Sequence, residues 1–199
     1  MRKKISFIAT IFILLINNIC IAEPKVKHSS TGNMVFWRKN KLKVCLKESV
    51  KDISNFEKYL NISFKVWKPI KIFPELELSD TNSNCDISID YRYFDCCGEP
   101  TPIAITELNF FTSGKIDFAN IVINRKYESK IGDASKDKLV YDVPGILAHE
   151  LGHCIGLSDD NDNEKSIMHV TNFLGKTYKR FVKTNDSLAV KMIYGNTED

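Results

Sequence analysis

Two histidines flank a glutamate in the segment His149-Glu150-Leu151-Gly152-His153. Residues four apart lie on the same face of an α-helix, so the two imidazoles can bind one ion. Imidazole is a ligand that zinc prefers in proteins. A carboxylate directly beside the first histidine can accept the proton of a metal-bound water. The spacing therefore predicts a zinc helix on which His149 and His153 are ligands and Glu150 is the general base.

The residues after this helix predict a third ligand. Gly156 lies where the helix should end, because glycine tolerates the left-handed turn that commonly terminates helices. That turn would fold the chain back and bring Asp159 to the ion, although Asp160 could compete for the same role. Three protein ligands leave one coordination position open for water, which is typical of a catalytic zinc site.

The first 22 residues have the organisation of a signal peptide. A basic start at residues 2–4 precedes the apolar run 5–16, which is short for a membrane span, and a small-x-small site ends at Ala22. We expect cleavage after Ala22 and a secreted or periplasmic protein without stable membrane association. The alternative is a lipoprotein acylated at Cys20.

Composition is consistent with one ordinary domain. The formal net charge is +3, but residues 1–22 carry three basic and no acidic side chains, so the predicted mature chain is about neutral. This balance argues against a nucleic-acid or membrane-surface partner. We expect a flexible lead-in over residues 23–34, a single domain over residues 35–199, and a monomer.

The cysteines indicate disulfides without defining them. Export to an oxidising compartment favours disulfide formation. An odd number of cysteines follows residue 22, so at least one thiol is free or pairs between chains. These five cysteines are Cys45, Cys85, Cys96, Cys97 and Cys154.

Hydrophobic periodicity predicts the strands that must support the site. Apolar residues alternate with polar ones over residues 42–46 and 85–94, and residues 70–78 are extended. Two further strands over residues 103–111 and 116–123 are joined by a turn at Ser113-Gly114.

Helical spacing predicts three helices around these strands. An apolar stripe ends before Pro69 and follows a capping-box pattern at Ser54 and Glu57. The zinc helix should begin near Asp142, and a last helix spans residues 186–194. The fold class is therefore α+β, with a mixed twisted sheet of about five strands, an N-terminal helix, a central zinc-binding helix and a C-terminal helix.

The zinc motif resembles that of the metzincin metallopeptidases, His-Glu-x-x-His-x-x-Gly-x-x-His/Asp followed by a Met-turn. Residues 149–159 fill this pattern, and Ser166-Ile167-Met168 is similar to the Met-turn. Within that clan the chain resembles a matrixin-type catalytic domain. Its Asp159 stands where matrixins usually carry histidine, as in the snapalysin-like branch. The C-terminal Tyr194-Gly195 is also similar to the end of the matrixin closing helix.

The resemblance implies a zincin-like fold and a zinc endopeptidase that hydrolyses protein or peptide substrates. One catalytic Zn²⁺ would activate water, with Glu150 as base, and Met168 would support the site from beneath without being a ligand. The strand over residues 103–111 could pair with an extended substrate. Residues 97–100 are similar to a cysteine latency switch, but their position after a strand favours a disulfide or a turn.

Two other functions fit the same residues. The domain could hold zinc and act as a non-catalytic binding protein, or it could be a metal-assisted hydrolase of another amide or ester. Ca²⁺ is a possible second ion at the acidic loop 159–164, although this loop lacks a full Asp-x-Asp-x-Asp-Gly spacing.

Overall fold

The computed structural model of the chain describes residues 23–79, 83–96 and 100–195. The predicted signal peptide and Cys97 lie outside these ranges. A search of the described ranges for a helix both long and apolar enough to cross a membrane found none.

A five-stranded mixed sheet forms one layer of the domain, as predicted. Its strands run in the order β2-β1-β3-β5-β4, and β4 is antiparallel to β5 while the other neighbours are parallel. Because β4 pairs only with β5, it is an edge strand of this sheet. The strands are β1 (Lys41–Leu46), β2 (Glu75–Leu78), β3 (Ile87–Arg92), β4 (Ala104–Phe110) and β5 (Ile116–Asn124).

Three α-helices accompany the sheet: α1 (Phe56–Trp67), α2 (Val143–Cys154) and α3 (Thr184–Tyr194). Short 3-10 helices span Glu48–Asp52, Arg125–Lys130 and Tyr178–Arg180, and a small parallel pair joins β6 (Ile131–Gly132) to β7 (Tyr141–Asp142). Helix α1 is present, but the predicted capping box is wrong. Its N-cap is Asn55, which has a left-handed φ of 62° and makes no side-chain cap hydrogen bond.

The core lies where α1 and α2 pack together against the sheet. Trp67 of α1 is fully buried, and its indole Nε1 donates to the carbonyl of Ala148 in α2 at 2.9 Å. Phe73 stacks on the same indole with ring centroids 4.9 Å apart. The apolar faces of α2 and the sheet contribute Leu147, Leu151, Ile87, Ile89 and Ile121, all fully buried. These contacts fix α2, and with it the histidine motif, relative to the sheet.

The described cysteines include both disulfide-bonded residues and one free thiol, as their odd number predicts. Cys45 in β1 is bonded to Cys85, which lies just before β3, and Cys96 is also in a disulfide. Cys154 at the end of α2 is a free, buried thiol. The bond between Cys45 and Cys85 reinforces the neighbouring strands at the centre of the sheet.

The segment expected to be a flexible lead-in has a defined place in the fold. Val26 forms an antiparallel bridge with Leu157, and the amide of Lys27 donates to the carbonyl of Gly156 at 2.7 Å. Val35 then donates back to the carbonyl of Lys27 at 2.9 Å. Backbone hydrogen bonds need no hydrophobic pattern, so the polar sequence of residues 23–34 carries no signal of this pairing.

Candidate active site

Helix α2 begins at a well-defined cap beneath the candidate site. The carboxylate of Asp142 accepts from the amide of Gly145 at 3.0 Å, and Pro144 occupies the first turn, as predicted. Arg180 forms ion pairs with Asp142 and, at 2.6 Å, with Asp133. All three side chains are largely buried, so the start of the helix is held by a charge network as well as by its cap.

The two histidines of the motif converge on one point. Their Nε2 atoms are 3.1 Å apart. Each ring is oriented through its Nδ1: that of His149 lies 2.8 Å from the carbonyl of Ile167, and that of His153 lies 2.9 Å from the carbonyl of Leu157. A carbonyl oxygen can only accept, so both Nδ1 atoms carry a proton, and when both imidazoles are neutral their Nε2 lone pairs face each other. Opposed lone pairs at this distance repel unless a cation lies between them, which fits a metal ion.

Asp159 completes this cluster. Its Oδ1 lies 3.5 Å from Nε2 of His149 and 3.3 Å from Nε2 of His153, and all three potential ligand atoms lie within 4.8 Å of one another. Two imidazoles and one carboxylate form a donor set that suits zinc. The structure places Asp160 differently: its backbone amide donates to the carbonyl of Met168, and its side chain is buried outside the cluster.

No second group of three histidine, cysteine or acidic ligands occurs in the ranges that the structure describes. The acidic loop 159–164 therefore gives the possible calcium ion no support.

The turn that carries Asp159 depends on Gly156. Its φ is +100°, a left-handed value that side chains disfavour, and a Cβ here would lie 2.0 Å from the carbonyl oxygen of Val35. This residue ends α2 as predicted. Its close approach to Val35 also joins the turn to the N-terminal segment.

Glu150 is buried at the cleft side of α2. The hydroxyl of Thr106 in β4 donates to Oε2 of this carboxylate at 2.6 Å, and it lies 3.2 Å from the backbone carbonyl of Glu150. Burial raises the pKa of Glu150, while His153 and the hydrogen bond from Thr106 act in the opposite direction. Thr106 was not among the predicted site residues, because a threonine in a strand is an ordinary β-sheet residue.

Lys179 is a second residue that the sequence did not predict. It is only 3% exposed, its ammonium donates to the carbonyl of His169, and Nζ lies 3.1 Å from Nδ1 of His149. Burial lowers the pKa of Lys179 to about 8. Burial and the positive charge of Lys179 lower the pKa of His149 well below its usual range, so this imidazole is neutral near pH 7, as a metal ligand must be.

The segment similar to a Met-turn lies beneath α2. Met168 is 2% exposed, and its Sδ would lie 2.4 Å from a Cβ placed at Gly152, so the glycine permits this close packing. Ser166 donates to Asp186 at 2.6 Å and accepts from the amide of Met168 at 2.9 Å. Helix α3 therefore holds the segment through Asp186, while the carbonyl of Ile167 orients His149.

A cleft of about 700 Å³ opens over these groups. One wall is Ile103 together with residues 104–106 of the edge strand β4, and another is formed by residues 170–172. Tyr127 and Tyr141 meet edge to face with ring centroids 6.1 Å apart at this cleft. The cleft therefore exposes the histidine cluster and Glu150 beside a strand edge long enough to contact an extended chain.

Comparison with known families agrees with this arrangement. A matrixin family model matches residues 36–195, which includes the sheet, all three helices and the histidine cluster. No curated protein is significantly similar to the chain. Matrixins are zinc-dependent metallopeptidases, and the mixed α+β fold described above is consistent with theirs. The chain belongs to the matrixin family of metallopeptidases.

Proposed function

We propose that this matrixin is a zinc endopeptidase that uses Glu150 as its general base. The observation that carries the proposal is the convergence of His149, His153 and Asp159 beside a buried glutamate, at the floor of an open cleft. His149, His153 and Asp159 would hold the ion. The chemistry that zinc supplies when bound is Lewis-acid polarisation of the scissile carbonyl and a lowered pKa of water.

Glu150 has one oxygen available for proton transfer. Its Oε2 accepts from Thr106, whereas no group among the described residues donates to Oε1. Oε1 can therefore take the proton of the attacking water and then deliver it to the departing amine. The raised pKa of Glu150, which results chiefly from burial, favours the first step because it makes the carboxylate a stronger base towards the proton of water.

The edge of β4 is the proposed substrate-binding strand. One side of β4 pairs with β5 from Ala104 to Phe110, and residues 104–106 of β4 line the cleft. Unpaired backbone groups of an edge strand can add a further strand, so a peptide could bind here in extended form. This mode requires a backbone on each side of the scissile bond and therefore favours an endopeptidase.

We also propose that the protein acts outside the cytoplasm, as a monomer released from its signal peptide. The leader pattern of residues 1–22 and the disulfide between Cys45 and Cys85 support this location. Edman sequencing of the exported protein should begin at Glu23. A retained leader, or a chain acylated at Cys20, would contradict this part of the proposal.

The catalytic proposal is tested with Glu150→Gln, which keeps the size of the side chain but removes the base. Zinc-loaded wild type should cleave a peptide library internally, a chelator should abolish cleavage, and zinc should restore it. Glu150→Gln should lower the rate by about a hundredfold or more. The matched control is Glu164→Gln, because Glu164 is an exposed residue of the neighbouring loop.

Three results would contradict this proposal. Cleavage by Glu150→Gln close to that of wild type would remove Glu150 from the mechanism. Stoichiometric zinc without cleavage of any peptide would instead support a non-catalytic binding protein, and cleavage limited to other amides or esters would support a different hydrolase.

A further inference from the structure

We propose that Thr106 is a positioning residue for the general base, and that its hydroxyl holds Oε2 of Glu150 so that Oε1 faces the cleft. This inference rests on the proposed function. It assigns a role to a residue of β4 that lies outside the zinc motif, and it connects the substrate-binding strand to the base.

The hydrogen bond from Thr106 is short and directed at the carboxylate. Its length of 2.6 Å lies in the range of hydroxyl bonds to ionised oxygens, which are about twice as strong as neutral ones. The hydroxyl has one proton, and the backbone carbonyl of Glu150 lies further away at 3.2 Å. The side-chain oxygen is therefore the main acceptor.

No other described group holds this carboxylate. Thr106 is the only residue whose donor reaches the Glu150 side chain within the described ranges, and Glu150 has no ion pair there. The terminal torsion of a glutamate is broad, so hydrogen bonding must select its orientation. Without the hydroxyl, the two oxygens could exchange positions and tilt within the cleft.

The donor itself is rigidly placed. Threonine is β-branched and restricted at χ1, and Thr106 is opposite the fully buried Ile121 in the ladder between β4 and β5. The sheet thus fixes the direction of the hydroxyl. Since residues 103–106 also border the cleft, the strand that would pair with substrate is the strand that orients the base.

The test compares Thr106→Val, which keeps the β-branched shape but lacks the hydroxyl, with Thr106→Ser, which keeps the hydroxyl. For Thr106→Val we expect kcat to fall by about tenfold to a hundredfold, the range for a hydrogen bond to a charged group. KM and bound zinc should remain unchanged, because valine keeps the shape of the cleft wall and the histidines lose no contact. Thr106→Ser should restore kcat to within about threefold of wild type.

A double mutant separates positioning from a structural role. If Thr106 acts through Glu150, adding Thr106→Val to Glu150→Gln should lower the residual rate by less than twofold. A full additional loss would overturn the inference, since it would mean that the hydroxyl serves the strand or the backbone carbonyl. Wild-type kcat in Thr106→Val, or failure of Thr106→Ser to restore it, would also overturn it.

The two proposals fail in different ways. An active Glu150→Gln variant refutes the general-base mechanism, whereas an inactive Glu150→Gln together with a fully active Thr106→Val refutes only the role of Thr106. If Thr106→Val does not fold, as judged by circular dichroism, Thr106→Ala provides the same comparison against Thr106→Ser.

Discussion

Replacement of Gly156 by alanine should destabilise the protein and weaken the metal site together. Gly156 ends the zinc helix with a φ of +100°, and an added Cβ would lie 2.0 Å from the carbonyl oxygen of Val35. That oxygen belongs to the backbone of a residue with no exposed surface, so it cannot move away as a flexible side chain would. The perturbation therefore has a conformational part and a steric part.

Each part has a typical energetic cost. A left-handed conformation costs an L-residue about 1–2 kcal/mol. Forcing an extra carbon into a packed site typically costs about 1–3 kcal/mol more. Gly156→Ala should therefore lower the free energy of unfolding by about 2–5 kcal/mol. Zinc affinity should also fall, because Leu157 and Asp159 follow directly on the displaced turn.

Gly32→Ala is the matched control for this experiment. Gly32 also has a left-handed φ, of +82°, but a Cβ there would have no atom within 4 Å. Gly32→Ala should therefore have only the conformational cost. Any effect of alanine on the unfolded chain is common to both variants. Urea unfolding of the oxidised protein should show Gly156→Ala less stable than Gly32→Ala by about 1–3 kcal/mol. Chelator competition should show weakened zinc binding only for Gly156→Ala. Equal unfolding free energies in the two variants would refute the steric argument.

Three further predictions concern other parts of the fold. Hydrogen bonds from Ser135 and the Arg180 guanidinium lower the pKa of Asp133 to about 2, against the opposing effect of burial. The ionised carboxylate should therefore contribute to stability above pH 4, and this contribution should be lost as the pH falls towards 2. Urea unfolding of Ser135→Ala should show a smaller loss of stability between pH 4 and pH 2 than the wild type shows. The bond between Cys45 and Cys85 links residues 40 positions apart and so restricts the unfolded chain. Urea unfolding of the double alanine variant should show a free energy of unfolding lower by about 4 kcal/mol. An unchanged unfolding midpoint would refute this argument from the entropy of the unfolded chain. Lys27→Pro lacks the amide that donates to the carbonyl of Gly156 in the turn after α2, so chelator competition should show zinc affinity about fivefold lower than in Lys27→Ala. Equal affinities would contradict a role of this hydrogen bond in holding the turn.

The zinc helix was predictable because its residues are local. The separation between His149 and His153 is one helical turn, and the N-cap at Asp142 and the end at Gly156 follow from rules that act within a few residues. The five strands and three helices were predictable for the same reason. The mixed sheet and the placement of Asp159 near the histidines agree with those expectations.

The predicted secondary structure was wrong where short-range hydrogen bonds form turns in place of the expected strand or loop. Residues 70–78 were predicted as a short strand or an extended segment, but the strand begins only at Glu75, because amides of Ile70 and Phe73 donate to carbonyls three residues earlier and form successive turns. The polar residues after 123, for which the sequence predicts no helix or strand, contain a 3-10 helix, which starts where the side chain of Asn124 accepts from the amide of Lys126 at 3.0 Å. Turns of this kind leave no hydrophobic period to detect.

The residues that complete the site were not predictable from local pattern. Thr106 reaches Glu150 across 44 residues, and Lys179 reaches His149 across 30. The pairing of Val26 with Leu157 is equally distant and depends on backbone atoms. Such contacts result from how α2 packs between the sheet and the N- and C-terminal segments, and a single sequence does not encode that packing in its spacing.

The most direct measurement is a crystal structure of the zinc-loaded protein with anomalous diffraction data collected at the zinc edge. We predict one strong peak per chain, about 2.0–2.2 Å from Nε2 of His149, Nε2 of His153 and a carboxylate oxygen of Asp159, with no fourth protein ligand. A peak bound by Asp160 in place of Asp159 would contradict the assigned ligand set. A peak at another place, or none in protein that carries zinc in solution, would contradict the account of the site as a whole.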